Sequence, residues 1–374
     1  MIKMQNDKHN VVLICILKEI CLILRHIFNN MALILPKKYK QKLTVETTEV
    51  AIKMVKDEFQ KQLIKQLQLR RVTAPLFVAA GTGINDDLNG VEPPVSFEVP
   101  AMDGIRAEVV HSLAKWKRLK LAAYDIAPGF GLYTDMNAIR ATETPDNLHS
   151  LYVDQWDWEK TILPGDRSRG YLMATVRSIY SAMRAVEALI YERFPHITPT
   201  LPDEITFIDS QDLLDRYPEL SAKEREAAVA REYGAVFIMG IGAPLSNGQP
   251  HDLRAPDYDD WSSATPDGRR GLNGDIIVWS RVLECPVELS SMGICVSPEA
   301  LRSQLEATGK TDRVNLPFHR RLLAGELPAS IGGGIGQSRL CMFLLQKAHI
   351  GEVQASLWPS SDIAACRSAG IDLL

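Results

Sequence analysis

Residues 331–340, IGGGIGQSRL, place an arginine shortly after a run of glycines, a combination that can hold a flat ligand. Glycine lacks a Cβ, so the backbone can approach such a ligand closely. The pattern predicts a strand end, a glycine-packed turn and a helix start that carries Arg339. Neither common phosphate loop fits, because Gln337 breaks the G-x-G-x-x-G spacing and no Gly-Lys-Ser/Thr follows. The segment is therefore either an ordinary turn before a helix or a nucleotide site of another kind.

Alternating residues in 152–159, YVDQWDWE, predict a strand with two different faces. Period-two spacing puts Gln155, Asp157 and Glu159 on one face and two tryptophans on the other. The charged face is either the solvated side of a sheet or the polar floor of a pocket.

Carboxylates also stand out in two later segments. Asp275 and Glu288 are isolated acids in the two strands of a predicted hairpin, at positions where apolar residues would be expected. Hard carboxylate oxygens of this kind suit Mg²⁺ held together with substrate phosphates. The loop 251–261, HDLRAPDYDDW, carries charges of both signs that would be costly to bury unpaired. It is either solvated or the lining of a polar active site.

Periodicity indicates the elements that must position these residues. From Thr44, apolar residues three or four apart predict an amphipathic helix. The strand predicted next, at 71–78, contains Pro75, and this proline confines the strand to an edge, a bulge or an interface. Together they predict a dimer surface. Residues 81–90 are a loop whose aspartates serve either turn formation or a site. The other strands are predicted at 94–99, 106–111, 132–140, 205–208, 235–240, 274–279 and 287–293, and the other helices at 112–118, 171–194, 223–233 and from Ser297.

Composition is ordinary for a globular protein of 374 residues, with 46% hydrophobic and 24% charged residues. The formal net charge of −4 provides no general basic field for a nucleic-acid backbone. The six cysteines lack C-x-x-C spacing. The absence of that spacing argues against structural zinc and a disulfide framework, and it favours a reduced, cytoplasmic setting.

The first residues of the chain are apolar but interrupted by charges. The longest apolar run, 11–17, is too short for a bilayer span of about 20 helical residues. A signal peptide matches poorly, because Asp7 dilutes the basic leader and no clean cleavage site follows. Residues 1–34 are thus an extension of doubtful status, either a targeting segment or residues ahead of a functional start at Met31.

Six segments in this order resemble the motifs of one family: HSLAKWKR (111–118), YVDQWDWE (152–159), RAPDYDDWS (254–262), LNGDI (272–276), ELSSMGI (288–294) and IGGGIGQSRL (331–340). They look like the ammonia-dependent asparagine synthetases, or aspartate ammonia ligases, which share the catalytic domain of class II aminoacyl-tRNA synthetases. The resemblance implies an α+β fold, with a six- to eight-stranded antiparallel sheet flanked by helices in a single catalytic domain at 35–374. It also implies a homodimer without a separate nucleic-acid domain.

The activity that this resemblance implies is ATP-dependent amidation of L-aspartate by ammonia to L-asparagine, through an aspartyl-adenylate, with release of AMP and pyrophosphate. Mg²⁺ with ATP is the implied cofactor, and neither nucleic acid nor a membrane is an expected partner. Nothing in the sequence resembles a glutaminase, so free ammonia is the implied nitrogen donor.

The motif positions carry residue roles as well. Arg140 resembles the guanidinium that binds the α-phosphate, and Arg339 resembles the one that stacks on adenine, a planar role that lysine cannot fill. Both are candidate catalytic residues. The implied ATP contacts are Arg140, Glu143, Asp275, Glu288, Gly334, Gly336 and Arg339, with Asp275 and Glu288 as metal ligands. The implied aspartate contacts are Asp86, Gln155, Asp157, Arg254, Asp259 and Ser291, and Asp86 or Asp259 is the candidate proton acceptor for ammonium.

Two other hypotheses compete with this one. An aminoacyl-tRNA synthetase paralogue would transfer the adenylate to tRNA or protein, and it predicts a basic acceptor surface or an added domain that the sequence does not display. A non-catalytic amino-acid sensor predicts losses among Arg140, Asp275, Glu288 and Arg339, yet all four are present.

Overall fold

The long helix α1 (Val45–Leu67) forms where the apolar spacing predicts it, in a computed structural model that describes residues 33–85 and 92–374. Thr44 caps its start, because the Thr47 N–H donates to the Thr44 hydroxyl over 3.2 Å. Its buried stripe includes Val55, Phe59 and Leu63. The Phe59 ring packs 4.6 Å from that of Trp156, so α1 is fixed against the sheet.

Eleven strands are present in the described part of the chain. They are β1 (Leu69–Arg71), β2 (Phe77–Ala79), β3 (Ser96–Val99), β4 (Ile105–Val109), β5 (Gly131–Ile139), β6 (Tyr152–Thr161), β7 (Thr206–Asp209), β8 (Ala235–Met239), β9 (Asn273–Ser280), β10 (Cys285–Ile294) and β11 (Ser330–Gly336). Eight form one sheet in the order β1-β5-β6-β11-β10-β9-β8-β7, and β2-β4-β3 form a small second sheet. The strand predicted at 71–78 is divided between the two sheets, with Pro75 in the break.

Eight further α-helices lie in the described part of the chain. They are α2 (Ala114–Ala123), α3 (Arg169–Arg193), α4 (Ser210–Arg216), α5 (Ala222–Tyr233), α6 (Pro298–Ala307), α7 (Pro317–Leu323), α8 (Gln337–Leu344) and α9 (Ser360–Ser368). Ser297 caps α6 as its sequence predicts, since the Ala300 N–H donates to the Ser297 hydroxyl over 3.1 Å. Among the helices in 33–85 and 92–374, none has both the length and the apolar character that a membrane span requires.

The α+β fold is confirmed, but the sheet is mixed rather than antiparallel. Both end pairs, β1 with β5 and β7 with β8, run parallel, and the strands between them run antiparallel. A parallel pair needs a crossover connection. Helices α4 and α5 supply it between β7 and β8, and the small sheet with α2 lies between β1 and β5. These crossovers cannot be inferred from the alternation within a single strand.

The glycine-packed turn expected at 331–336 is wrong, because those residues are strand β11 throughout and α8 follows directly. The glycines are required by neighbouring strands. A Cβ on Gly333 would lie 2.6 Å from the Ser291 carbonyl oxygen and 2.9 Å from the Met292 Cα. Close packing of β11 against β10 therefore explains glycine at this position.

Strand β6 has a core face and a cavity face, and Trp156 and Trp158 both lie on the core face. Both are fully buried in the core that α1 and α3 share with the sheet. Gln155, Asp157 and Glu159 point the other way and line a cavity. The alternation predicted from the sequence is therefore confirmed, and the polar face is a pocket floor rather than a solvated surface.

Candidate active site

A cavity of about 380 Å³ opens on the polar face of β6, β10 and β11. It brings together most of the predicted site residues: Arg140, Glu143, Gln155, Asp157, Arg254, Asp259, Glu288, Ser291, Gly334, Gly336 and Arg339. Asp86 lies outside the described residues, and Asp275 is not among the residues that line the cavity. Arg140, Glu288 and Arg339 thus face one space, as a single nucleotide site requires.

Strand register explains how the sheet assembles this floor. Asp157 lies opposite Gly334, Gly334 opposite Ser291, and Ser291 opposite Asp275. Directly paired residues share a face of the sheet, so these four positions form one row across four strands. Gly334 leaves room in that row, because a Cβ there would lie 2.9 Å from the Gln155 side-chain carbonyl carbon.

A β-bulge aims two residues of β10 into the cavity. The register with β9 shifts between Glu288 and Ser290. In a regular strand, residues three apart point to opposite faces, but the extra residue lets Glu288 and Ser291 share the cavity side. Leu289 and Met292 are correspondingly buried in the core. Sequence alternation alone would have placed Glu288 and Ser291 on opposite faces.

Arginines line one end of the cavity. Arg339, in the first turn of α8, donates from Nε to the Leu148 carbonyl oxygen over 3.3 Å and from Nη1 to the Glu288 carbonyl oxygen over 3.2 Å. Arg140 follows β5, with Nη1 4.0 Å from a Glu143 carboxylate oxygen. Its Nε is buried and has no hydrogen-bond partner among the described residues. Both guanidinium groups are thus held by the protein with donors left for a ligand.

Glu288 is the carboxylate at this end of the cavity. Burial raises its pKa, but the positive charges of Arg339, Arg254 and further cations outweigh burial and hold the pKa below the ordinary value. Lys223 and Arg140 are the other cations that contribute. Glu288 is therefore an ionised acid on the cavity wall, held so by the cations around it.

Arg254 and Asp275 form a buried ion pair behind Glu288. Both oxygens of Asp275 accept from Nη2 of Arg254. Nε of Arg254 is buried without a hydrogen-bond partner in the described residues. Asp275 is therefore paired in this structure, and Glu288 is the acid that borders the cavity.

Acids and amides cluster at the other end of the cavity. Asp259 is 3% exposed, and its Oδ2 accepts from Asn273 Nδ2 over 2.8 Å. Its Oδ1 is buried and unpartnered among the described residues. Burial raises the pKa of Asp259 to about 6, although Arg254 opposes the shift. Asp157 lies nearby on the floor beside Gln155.

The loop 251–261 lines the cavity and is largely buried rather than solvated. Asp257, in the middle of this loop, is completely buried and accepts from Arg313 Nη1 over 2.8 Å, while its Oδ2 lies 3.0 Å from His319 Nε2. Asp260 accepts from Arg167 over 2.5 Å. These buried ion pairs anchor the loop so that Arg254 and Asp259 reach the cavity.

Lys117 lines the cavity but was not among the predicted site residues. Its ammonium group bonds to Asp157 and donates to the carbonyl oxygens of Trp158 over 3.0 Å and Gly333 over 3.3 Å. The HSLAKWKR motif contains it, but a lysine in a helix is normally read as solvent-exposed. Only the packing of α2 against the sheet reveals that this ammonium group is buried.

The carboxylates fit a magnesium ion that arrives with phosphates better than a preformed metal centre. Among residues 33–85 and 92–374, no cluster of three or more metal-binding side chains occurs. Mg²⁺ commonly uses one or two carboxylates together with substrate phosphates and water. Glu288 at the cavity wall meets that requirement, and Asp275 lies behind it.

The fold is like that of the class II aminoacyl-tRNA synthetases. The asparaginyl-tRNA synthetase of Entamoeba histolytica in complex with asparaginyl-adenylate superimposes with a TM-score of 0.61 at 14% identity, over 83% of this chain and 66% of that one. The asparaginyl-tRNA synthetase of Pyrococcus horikoshii, also complexed with asparaginyl-adenylate, gives 0.62 at 13%, over 84% and 70%. At such low identity, these similarities establish the fold alone.

Sequence relatives identify the particular family. The model of the aspartate-ammonia ligase family matches residues 46–370. The aspartate–ammonia ligase of Parabacteroides distasonis is 58% identical over 342 residues, which cover 91% of this chain and 99% of the relative. That of Bacteroides thetaiotaomicron is 55% identical with the same coverage. The chain belongs to the aspartate–ammonia ligase family, so the family predicted from the sequence motifs is confirmed.

Proposed function

We propose that this protein amidates the β-carboxylate of L-aspartate with free ammonia, through an aspartyl-adenylate, and releases AMP and pyrophosphate. One observation carries the proposal. A single cavity joins an arginine-rich end, with Arg140 and Arg339, to an acid- and amide-rich end, with Gln155, Asp157 and Asp259. An anionic nucleotide and a zwitterionic amino acid can therefore meet within it.

The adenylate explains why ATP is needed at all. A carboxylate resists ammonia because it is anionic and lacks a good leaving group. Attack of the β-carboxylate oxygen on the α-phosphorus forms an O–P bond and expels pyrophosphate. Ammonia then attacks the acyl carbon, the C–O bond to AMP breaks, and the nitrogen loses a proton. The protein contributes mainly positioning and charge stabilisation.

At the nucleotide end, each predicted contact has a matching local feature. Arg339 stacks its planar guanidinium on adenine, Arg140 binds the α-phosphate from the cavity wall, and Glu143 contacts the adenine or ribose. Gly334 and Gly336 keep the backbone of β11 free of side chains where the nucleotide approaches. Both arginines act as catalytic residues because they offset charge that develops during transfer.

Glu288, with Asp275 behind it, would hold Mg²⁺ against the phosphates, and the ion would neutralise phosphate charge when bound. Glu288 suits this role because neighbouring cations keep it ionised. Asp275 also fixes Arg254, so removal of Asp275 would disturb both the metal and the substrate ends of the site.

At the aspartate end, acids meet the substrate ammonium group and cations meet its carboxylates. Gln155, Asp157 and Asp259 surround the amino acid, and Asp86 completes the set predicted from the sequence. Arg254 and Ser291, which both line the cavity, bind carboxylate oxygens. Lys117 fixes Asp157 at the floor of this end of the cavity.

Ammonia as nitrogen donor, a homodimer and a cytoplasmic location complete the proposal. Strand β1 lies at the end of the large sheet, directly after α1. An edge strand offers backbone groups for pairing with a second chain. This supports a dimer surface at α1 and the chain that follows it, where the sequence predicts one from the helix after Thr44 and the strand at 71–78.

The decisive experiment incubates the purified protein with L-aspartate, Mg-ATP and ammonium chloride, and quantifies asparagine, AMP and ADP by chromatography. We expect asparagine and AMP in equal amounts, with none formed when ammonia is omitted. Formation of ADP would contradict the adenylate route. Transfer of aspartate to added tRNA, without asparagine formation from ammonia, would instead favour a synthetase paralogue.

A further inference from the structure

Asp154 borders the cavity, but strand alternation directs its side chain to the face of β6 opposite that of Gln155 and Asp157. Gln155 and Asp157 point to the cavity floor, whereas Asp154 shares its face with Trp156 and Trp158, which are core residues. It is only 7% exposed. A buried carboxylate costs free energy unless it is well partnered, so the partners of Asp154 indicate what it does.

Four donors converge on this carboxylate. The Ser338 N–H donates to Oδ1 over 3.0 Å, and the Ser338 hydroxyl donates to Oδ2 over 2.9 Å. Gln354 Nε2 lies 3.3 Å from Oδ1, and the Lys56 ammonium group lies 3.1 Å from Oδ2. Two of the four donors belong to the first turn of α8. The carboxylate therefore joins α8 to α1 and to the segment after α8.

Helix α8 cannot cap its own start. Gly336 occupies the N-cap position, and no side chain there accepts a hydrogen bond. A Cβ at Gly336 would lie 3.3 Å from the Arg339 Cβ, so the usual capping residues would crowd that arginine. The helix nevertheless needs an acceptor for its first N–H groups. Asp154 provides that acceptor from the neighbouring strand, and its negative charge is favourable at a helix N-terminus.

We propose that Asp154 is a positioning residue, which caps α8 from β6 and thereby holds Arg339 in the cavity. Arg339 directly follows Ser338, and its guanidinium is set by hydrogen bonds of 3.3 and 3.2 Å to two carbonyl oxygens. A loosened first turn would weaken both bonds. The functional consequence rests on the proposed contact of Arg339 with the nucleotide.

The test compares Asp154→Ala and Asp154→Asn with the unmodified protein. In Asp154→Ala, we expect the KM for ATP to rise about tenfold, while the KM for aspartate changes less than about twofold. Asp154→Asn keeps an acceptor oxygen but loses the charge, so its KM for ATP should rise by a smaller factor. Without nucleotide, hydrogen exchange of the amides at 337–340 should accelerate in both variants, and more in Asp154→Ala than in Asp154→Asn.

Asp135→Asn is the matched control. Asp135 lies on β5 and accepts from the side chain of Gln337 over 3.2 Å, but it is bonded to no backbone N–H of α8. We expect unchanged exchange at 337–340 and an unchanged KM for ATP. Circular dichroism shows whether each variant folds. If Asp154→Ala does not fold, Asp154→Asn decides the question.

Two outcomes would overturn the proposal. One is exchange at 337–340 that stays at the unmodified rate in Asp154→Asn and Asp154→Ala. The other is faster exchange in the Asp154 variants with an unchanged KM for ATP, when the separate Arg339→Lys variant has lost its activity. If Arg339→Lys itself retains full activity, the nucleotide role of Arg339 fails instead, and the exchange result still decides whether Asp154 caps α8.

Discussion

Gly334 and Gly333 are adjacent glycines in β11, and changing each to alanine should affect a different property. The change at Gly334 should weaken aspartate binding, and the change at Gly333 should lower stability. A Cβ on Gly334 would meet the Gln155 amide, with its carbonyl carbon 2.9 Å away. That amide is the far end of a flexible side chain and can rotate aside. A Cβ on Gly333 would meet backbone, at 2.6 Å from the Ser291 carbonyl oxygen. Backbone held in a central sheet cannot move so easily.

The magnitudes follow from what has to move. In Gly334→Ala the Gln155 amide leaves the cavity floor, and loss of one hydrogen bond to a charged substrate costs about 1.5–3 kcal/mol. The KM for aspartate should therefore rise about tenfold to a hundredfold. Stability should change by less than about 1 kcal/mol. In Gly333→Ala the overpacking should cost about 3 kcal/mol or more of unfolding free energy.

The assay measures initial rates of asparagine formation with aspartate and ATP varied in turn, together with thermal unfolding of each variant. Gly334→Ala should shift the aspartate dependence alone, at a nearly unchanged unfolding midpoint. Gly333→Ala should lower the midpoint by several degrees. The reasoning would be refuted by a Gly334→Ala protein with normal aspartate dependence, or by two variants of equal stability.

Three further predictions address separate parts of the site. Arg339→Lys should lower kcat/KM by about a hundredfold or more with the fold intact by circular dichroism, because lysine lacks the planar guanidinium; near-normal turnover would contradict its role. Lys117→Met should destabilise the protein by about 3–5 kcal/mol in denaturant unfolding, since Asp157 loses its buried cation, and Asp157→Asn in the same chain should recover part of the loss. Burial raises the pKa of Asp259 to about 6, so its ionisation penalty is fully present above pH 6 and disappears as the pH falls toward 4. Asp259→Asn should therefore gain up to about 3 kcal/mol relative to the unmodified protein at pH 8 but little at pH 4, and equal thermal shifts at both pH values would exclude this explanation.

Much of the site was predictable because its residues lie in segments with clear local patterns. The alternation around Trp156 and Trp158 correctly assigned Gln155 and Asp157 to the opposite face. The motifs placed Arg140, Glu288 and Arg339 in one site, and the cavity brings them together. The assignment of individual roles to these residues remains a prediction.

Other features depended on partners distant in the chain. The Arg254–Asp275 ion pair joins residues 21 positions apart, and Lys117 finds its carboxylate 40 positions away. The β10 bulge that turns Glu288 toward the cavity is defined only by its register with β9. None of these contacts leaves a pattern in the segment that contains it.

The sequence by itself determined the periodic elements, the Ser297 cap of α6, and the family, because each depends on residues a few positions apart or on motifs in a fixed order. The tertiary structure decided that both end pairs of the sheet run parallel and that the glycine run is a strand. It also decided that Asp154 of β6 accepts hydrogen bonds from the first turn of α8. The physical reason is that strand direction, close approach and the pairing of buried charges are properties of two segments in contact, which neither segment specifies alone.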